Sequence, residues 1–395
     1  MSGAPALATS RSAGRVPSAV RAVEEKTREL MEFYRVPGVA LGIRYRGTDY
    51  VRGFGVTDVT NPVPVDGDTV FRVASTTKTF TGTAVMRLVE RGRLDLDRRV
   101  RHYLPGFRTA DEAASARVTV RQLLDHSAGW LGDFFLDTGD GDDALARYVA
   151  EMSRLPQLTP PGRAFSYNSA ALSLSGRLIE VAARTTYERA IDSSLLRPLG
   201  LRHSAFSLDD LPGVSWAVPH EHITTPGTQT PRPELWRIPR GINPAGGLIS
   251  SARDQLRWAR FHLGDGRPLL TERSLRAMRS RPGPGGTPYV EIDGFGVSWM
   301  IRQTQEGPRV LQHGGDWDGQ HSGFFVVPSH DVALTVLTNS LTGSALTTEL
   351  FASDWALTQL TGLHNPRAVP RPLPAAQLDA YAGAYTARQI GFAGE

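Results

Sequence analysis

Three short stretches carry side chains whose types and spacing could perform acyl chemistry. In Val73-Ala74-Ser75-Thr76-Thr77-Lys78-Thr79-Phe80 a serine hydroxyl precedes a lysine amine by three residues. Lysine and arginine together number 44, yet only Lys26 and Lys78 are lysine. Arginine keeps its proton at any working pH, whereas a desolvated lysine gives it up. If Ser75 opens a helix, Lys78 falls one turn on along the same face. Its neutral amine could then take the serine proton and leave an alkoxide-like nucleophile. The helix N-terminus would add partial positive charge near a developing oxyanion. Taken alone, an S-x-x-K spacing is a frequent accident, a capped helix with a solvated lysine.

The second stretch is Phe165-Ser166-Tyr167-Asn168-Ser169, whose tyrosine hydroxyl, held beside a lysine, can relay a proton to a leaving group. A buried tyrosine bonded to backbone is the commoner outcome. The third is Gln312-His313-Gly314-Gly315-Asp316. Its two glycines let a ligand approach a strand closely, and His313 could fix a carboxylate or bond to the tyrosine. The plain alternative is a histidine at a strand end.

The elements that must position these groups come from both chain ends. Ser18 is expected to cap a helix carrying Val20, Val23, Leu30, Met31 and Tyr34, with Pro37-Gly38 stopping it. Val39, Leu41, Ile43 and Tyr45 alternate as a strand, Gly47 turns, and Tyr50–Val56 returns. Helices are predicted after Ser75 with a stop at Gly92, over 118–124, 169–183 and 187–196, and from a Ser251/Asp254 capping pattern through Leu263. Strands are predicted over 295–301, 308–313, 323–327 and 332–338, then one helix over 344–360. The expected fold class is α+β, an antiparallel sheet flanked by helices plus an all-helical domain. Residues 1–15 read as a flexible leader. Residues 16–365 read as the catalytic domain, with its sheet part at about 16–72 and 294–365 and its helical part at about 73–293. Residues 366–395 read as a Pro-rich linker and the start of a small C-terminal module.

Composition narrows the function classes. The 395 residues are 40% apolar with a net charge of +4 and scattered arginines, so there is no nucleic-acid footprint. Cysteine is absent, which removes disulfides and thiolate metal sites. The first twenty residues lack a signal-type apolar stretch, and no run approaches the ~18 apolar residues of a membrane span. A cytoplasmic location and no membrane partner are therefore expected.

All three stretches in this order resemble the serine β-lactamase and penicillin-binding-protein superfamily, in its class C, DD-peptidase and esterase branch. That family pairs S-x-x-K with Y-x-N and a K-T-G or H-x-G strand. Colinear blocks at 53–80, 118–130, 161–180, 243–261 and 311–328 extend the resemblance over roughly residues 18–360. The resemblance implies Ser75 as nucleophile, Lys78 as proton acceptor, Tyr167 as co-base and later acid, and His313 in the Lys-or-His position. It implies an oxyanion hole from the Ser75 and Asp316 backbone N–H groups, the latter just past the strand. Substrate contacts would come from Ser169, Gly314, Gly315 and Trp317. No cofactor is implied. Ser169 departs from the family's asparagine: a hydroxyl reaches less far and lacks the amide's paired donor and acceptor.

Other polar groups read as structural. His220-Glu221-His222 lacks helical zinc spacing and a third ligand, so no metal is expected. Asp137, Asp140, Asp142 and Asp143 miss calcium-loop spacing and read as a solvated loop. His126 is expected to satisfy backbone groups, and Trp130, Trp236 and Trp317 are candidate cleft walls or core. No G-x-S-x-G elbow occurs. The expected activity is a serine hydrolase acting through acyl-Ser75 on esters or small amides, with a small-molecule or peptide acyl partner. The alternatives are a biosynthetic acyltransferase, transesterase or peptide thioesterase/cyclase, a D-aminopeptidase, DD-peptidase or β-lactamase, and a non-catalytic binding protein of this fold. Oligomeric state is not legible.

Overall fold

The computed structural model describes residues 16–221, 228–280, 283, 294–367 and 372–386. In chain order the strands are β1 (Gly38–Tyr45), β2 (Thr48–Gly55), β3 (Val70–Arg72), β4 (His220–Glu221), β5 (Thr230–Pro231), β6 (Ile249–Ser251), β7 (Gly294–Phe295), β8 (Met300–Gln303), β9 (Arg309–Trp317), β10 (Gln320–Val327) and β11 (Val332–Thr338). Seven of them form one antiparallel sheet in the order β2-β1-β11-β10-β9-β8-β7. The N-terminal hairpin thus pairs with the last strand, Val39 opposite Thr338, and the sheet is built from both chain ends. Two short pairs, β3 with β6 and β4 with β5, stand apart.

Both faces of the sheet are covered, which explains why β1 is buried from Gly38 to Ile43 on alternate sides. Val39, Leu41 and Ile43 join Leu334 and Val336 of β11 under the helix Ser18–Phe33 and the C-terminal helices. Ala40 and Phe324 face a larger core shared with the helical segments. The Ala252–Leu263 helix lies on this inner face beside β1, and Gly42 makes room for it: a Cβ there would come within 3.0 Å of Leu256. Ser251 caps that helix by accepting from the Asp254 N–H, as its spacing predicts.

Several boundaries differ from the sequence expectation. The first helix begins at Ser18 itself, with Pro17 at the cap position and no side-chain cap. The strand expected over 295–301 is two strands, because Gly296–Trp299 closes on itself through a Gly296 N–H to Trp299 O bond of 2.9 Å. The helix expected over 344–360 is two, Gly343–Phe351 and Trp355–Thr361. Asp354 stands at the start of the second one: its backbone oxygen accepts the Thr358 N–H and its carboxylate accepts the Asn365 N–H, at 2.7 and 3.0 Å. The segment from Tyr187 is helical to Ile191 and continues as π-type turns to Leu196. β9 does not end at His313; Gly314, Gly315 and Asp316 pair on with Gly323, Ser322 and His321. Asp316 is therefore a strand residue, not one past the strand. The expected leader, residues 1–15, lies outside the described residues.

Candidate active site

Ser75 is presented by a strained corner. β3 ends at Arg72, Ala74 adopts a left-handed φ of +43°, and Ser75 lies in a single 3-10 turn, Ala74–Thr76, that runs into the helix Thr77–Glu90. A non-glycine residue holds such a φ only where its surroundings over-determine it. Here they do. Ser322 on β10 donates to Val73 O at 2.8 Å and meets the Thr76 hydroxyl at 3.0 Å. Thr77 Oγ1 donates to Ala74 O at 2.6 Å and accepts from Leu248 N–H at 3.1 Å. None of this corner is visible as a pattern in the sequence.

Lys78 lies one turn on and is fully buried. Its Nζ is 2.9 Å from Ser75 Oγ and 2.7 Å from Ala245 O. Burial lowers its pKa to about 7, with Asp133 pulling weakly the other way. The Ala245 carbonyl belongs to the short helix Asn243–Gly246, which is wedged against the Thr77–Glu90 and Ser169–Ala183 helices. Thr81 bonds Pro244 O at 2.7 Å, and a Cβ on Gly176 would sit 2.1 Å from Pro244 Cγ. The lysine's partner is thus set by tight packing two helices away.

Tyr167 lines the same cavity. Burial raises its hydroxyl pKa, and a hydrogen bond with Ser75 offsets part of that, so the phenol keeps its proton. Its ring centroid is 4.9 Å from Lys78 Nζ. Beneath it His126 stacks at 4.5 Å and 16°. His126 also accepts the Asn168 N–H at 2.8 Å, which is the backbone role expected of it. Asn168 caps the Ser169–Ala183 helix through Ala171 N–H and donates to Trp130 O, both at 2.8 Å. The amide next to the tyrosine is therefore spent on structure, and Ser169 is the residue that borders the cavity.

His313 is buried on β9 with Nδ1 2.7 Å from Gly314 O. A carbonyl only accepts, so Nδ1 carries the proton and Nε2 is an acceptor, without a partner among the described residues. Burial, reinforced by the Lys78 charge, lowers its pKa to about 3. In that state Nε2 offers a carboxylate no proton and would accept from a donor such as a hydroxyl. Gly315 is required by contact: a Cβ would lie 2.2 Å from Val73 O and 2.7 Å from Ser75 N. The β9 backbone therefore runs directly against the serine corner. The Asp316 carboxylate is exposed and meets His321 Nδ1 at 2.6 Å.

These groups face a cavity of about 400 Å³. Ser75, Lys78, Tyr167 and Ser169 form its floor, with Gly314 along one side. Asp133, Phe135 and Trp317 form part of the rim, and neither Asp133 nor Phe135 stood out in the sequence. Of the three tryptophans only Trp317 lines the cavity, with Nε1 donating to Leu235 O at 2.9 Å. Trp130 is in the core, and Trp236 packs under Arg72 at 5.3 Å. A larger hollow of about 710 Å³ between Glu188 and Leu211 is bordered by none of Ser75, Lys78 and Tyr167.

The remaining polar groups have structural roles. His220 meets Asn339 O with Nδ1 at 2.9 Å and accepts the Val59 N–H with Nε2 at 3.3 Å, so both ring nitrogens are spent on backbone. His222 lies outside the described residues, and no metal-binding cluster occurs among those described. Asp137, Asp140, Asp142 and Asp143 are not simply solvated: they pair with Arg237, Arg237, Arg240 and Arg147.

Residues 23–357 match the family model described as Beta-lactamase. The chain is 34% identical over 374 residues to "Penicillin-binding protein 4" of Amycolatopsis lactamdurans, covering 92% of this chain and 96% of that one. Among solved structures, SurE superposes with a TM-score of 0.77 at 31% identity, covering 91% of this chain and 80% of that one. A D-stereospecific amidohydrolase from a Streptomyces species superposes with a TM-score of 0.66 at 26% identity, covering 82% and 97%.

Proposed function

The chain belongs to the Beta-lactamase family, and from that premise we propose that it is a serine hydrolase that forms an acyl-Ser75 intermediate, with esters as preferred donors. The observation that carries this reading is the 2.9 Å contact between Ser75 Oγ and a Lys78 amine whose pKa burial lowers to about 7. A lysine in that state is half neutral near neutral pH and can act as a base where a solvated one could not.

In this mechanism Ser75 Oγ attacks the acyl carbon as its proton moves to Lys78 Nζ. The new Oγ–C bond forms and the carbonyl π pair moves onto oxygen, where the Ser75 and Asp316 N–H groups stabilise it. Collapse expels the leaving alkoxide, which takes the Tyr167 phenol proton, and Lys78 returns a proton to Tyr167. Water then repeats the sequence on the acyl-enzyme and restores Ser75. The raised Tyr167 pKa supports a donor role for the phenol and leaves the base role to Lys78. Esters are preferred because Ser169 replaces the amide that would hold a peptide link, and Asn168 is occupied as a helix cap.

A second reading, amide hydrolysis, is favoured by the likeness to the D-stereospecific amidohydrolase. Incubation with p-nitrophenyl esters, D- and L-amino-acid amides and a fluorophosphonate probe separates the two. Ester turnover with a probe adduct on Ser75 is expected. Unchanged turnover in Ser75→Ala would remove the acyl-enzyme proposal, and faster amide than ester hydrolysis would move it to the second reading.

A further inference from the structure

The acids of the loop that follows Trp130 are treated unequally. Asp137, Asp140, Asp142 and Asp143 each have an arginine partner. Asp133 has no ion-paired or hydrogen-bonded partner for its carboxylate among the described residues. It is also the one acid of this loop that borders the reactive cavity.

Its place is fixed rather than incidental. Gly132 O accepts the Ala170 N–H at 3.0 Å, and a Cβ on Gly132 would lie 2.2 Å from Tyr167 O. The chain just before Asp133 is therefore clipped to the backbone that carries Tyr167 and Ser169. Close packing at Gly132 fixes the backbone that brings Asp133 to the cavity, and its charge acts on both Lys78 and Tyr167.

The rest of the wall carries little positive charge. In a chain with 44 lysines and arginines, no arginine borders the cavity among the described residues, and Lys78 is its one basic group. Asp316 adds a second carboxylate at the rim, and His313 behind it is a neutral acceptor with a free Nε2. An acyl donor with a carboxylate would meet two like charges, while the one basic group, Lys78, is held by Ser75 and Ala245 O. One with an ammonium would meet a carboxylate that lacks a partner.

We infer that Asp133 is a specificity-determining residue that selects acyl donors bearing a free ammonium group, as in aminoacyl esters. This rests on the acyl-Ser75 reading above. The ammonium donates hydrogen bonds to the Asp133 carboxylate while the acyl carbon lies over Ser75. Because Asp133 is open to water, the selection is modest and weakens with salt.

The test compares p-nitrophenyl esters of 3-aminopropanoic and butanoic acids, which differ by an ammonium against a methyl. Each kcat/KM ratio is taken in wild type, Asp133→Asn and Asp137→Asn at a pH where the amine is protonated. Intrinsic reactivity cancels between enzymes. The ammonium preference should fall about five-fold in Asp133→Asn and stay at the wild-type value in Asp137→Asn. It should also fall in wild type as salt rises from about 0.05 to 0.5 M. Equal ratios in wild type and Asp133→Asn, or a wild-type preference indifferent to salt, would overturn the inference while Ser75 labelling left the acyl-enzyme reading standing. A charge effect seen only when an added amine competes with water would place the cation on the acceptor and overturn the donor assignment. Absence of both Ser75 labelling and ester turnover would instead remove the reading on which it rests.

Discussion

At the floor of the cleft, Lys78 is fully buried and each reactive group is held by several contacts: Ser75 by the Ala74 corner, Lys78 by Ala245 O, Tyr167 by its stack on His126. At the rim, Phe135 is 55% exposed and touches Trp317 edge-on at 6.2 Å, and Asp133 stands in water. The difference teaches where each kind of property resides. Burial suits the floor to the proposed chemistry, because it lowers the lysine pKa to about 7 and the amine lies 2.9 Å from the Ser75 hydroxyl. Exposure leaves the rim adaptable, so it can choose a substrate at little cost to the chemistry. Substitutions on the floor should therefore change rate, and substitutions on the rim should change preference.

The hardest test of that division is Lys78→Met. It should lower kcat by roughly 10²–10⁴-fold, the range of lost general-base catalysis. In the wild type, kcat/KM should rise tenfold per pH unit below about 7 and then level, because Lys78 must be neutral to accept the Ser75 proton. No further ionisation from His313 should appear near its ordinary value, since its pKa is about 3. The stability effect has the opposite sign. Above the ordinary lysine pKa of 10.5 the amine is neutral folded or unfolded and contributes nothing. Between there and about 7 the unfolded chain binds a proton that the native state refuses, so stability falls as pH falls, then stays level. Lys78→Met should thus gain stability at or below pH 7 and lose that gain at high pH, read from urea midpoints. A slower enzyme with no gain in stability would deny that burial sets the lysine's state.

Tyr167→Phe comes next, with a fall of roughly 10²-fold in kcat on alkyl esters. With a p-nitrophenolate leaving group, which needs no proton, the fall should be much smaller. Equal losses on both esters would mean the hydroxyl shapes the floor rather than supplying a proton. Gly176→Ala probes the packing behind the floor. A methyl 2.1 Å from Pro244 Cγ must push the Asn243–Gly246 turn, and with it the carbonyl that holds Lys78. Overpacking of this kind costs roughly 1–3 kcal/mol. Circular dichroism melts and the acid limb of the pH profile would register both consequences, although Gly176 touches no substrate.

The same division explains what was legible in the sequence. The Ser75–Lys78 spacing was legible, because one helical turn fixes their relation, and it gained weight only beside the Tyr167 and His313 stretches. The helix Ser169–Ala183 was bounded correctly, because Asn168 caps it and its apolar residues repeat with helical spacing. The charge state of His313 was not legible: it depends on burial and on the Gly314 carbonyl, which are tertiary facts. The broken helix at Ser353-Asp354 was hidden because Leu346, Leu350, Leu357 and Leu360 keep an apolar rhythm across it. Asp133 was invisible for a related reason. Residues 131–136 have no periodicity, and only the Gly132 clip onto Tyr167 carries the carboxylate to the cleft. Floors built on helices and strands leave periodic traces, and rims built on loops do not.

The smallest expected effect, and the finest test of the rim, is Phe135→Ala. The ring is more than half exposed, so its removal should leave the melting temperature unchanged within about 0.5 kcal/mol of stability. It faces Trp317 across the cavity mouth, and an acyl chain entering there would be covered by both rings. Losing one should reduce kcat/KM for a hexanoyl ester roughly three- to ten-fold relative to acetyl, in line with one or two methylenes left uncovered. The loss should fall in KM, since both ground and transition states lose the same cover. A fall confined to kcat and shared by both esters would place Phe135 in positioning the floor, and the separation of rate from preference would fail at the residue where it should hold most easily.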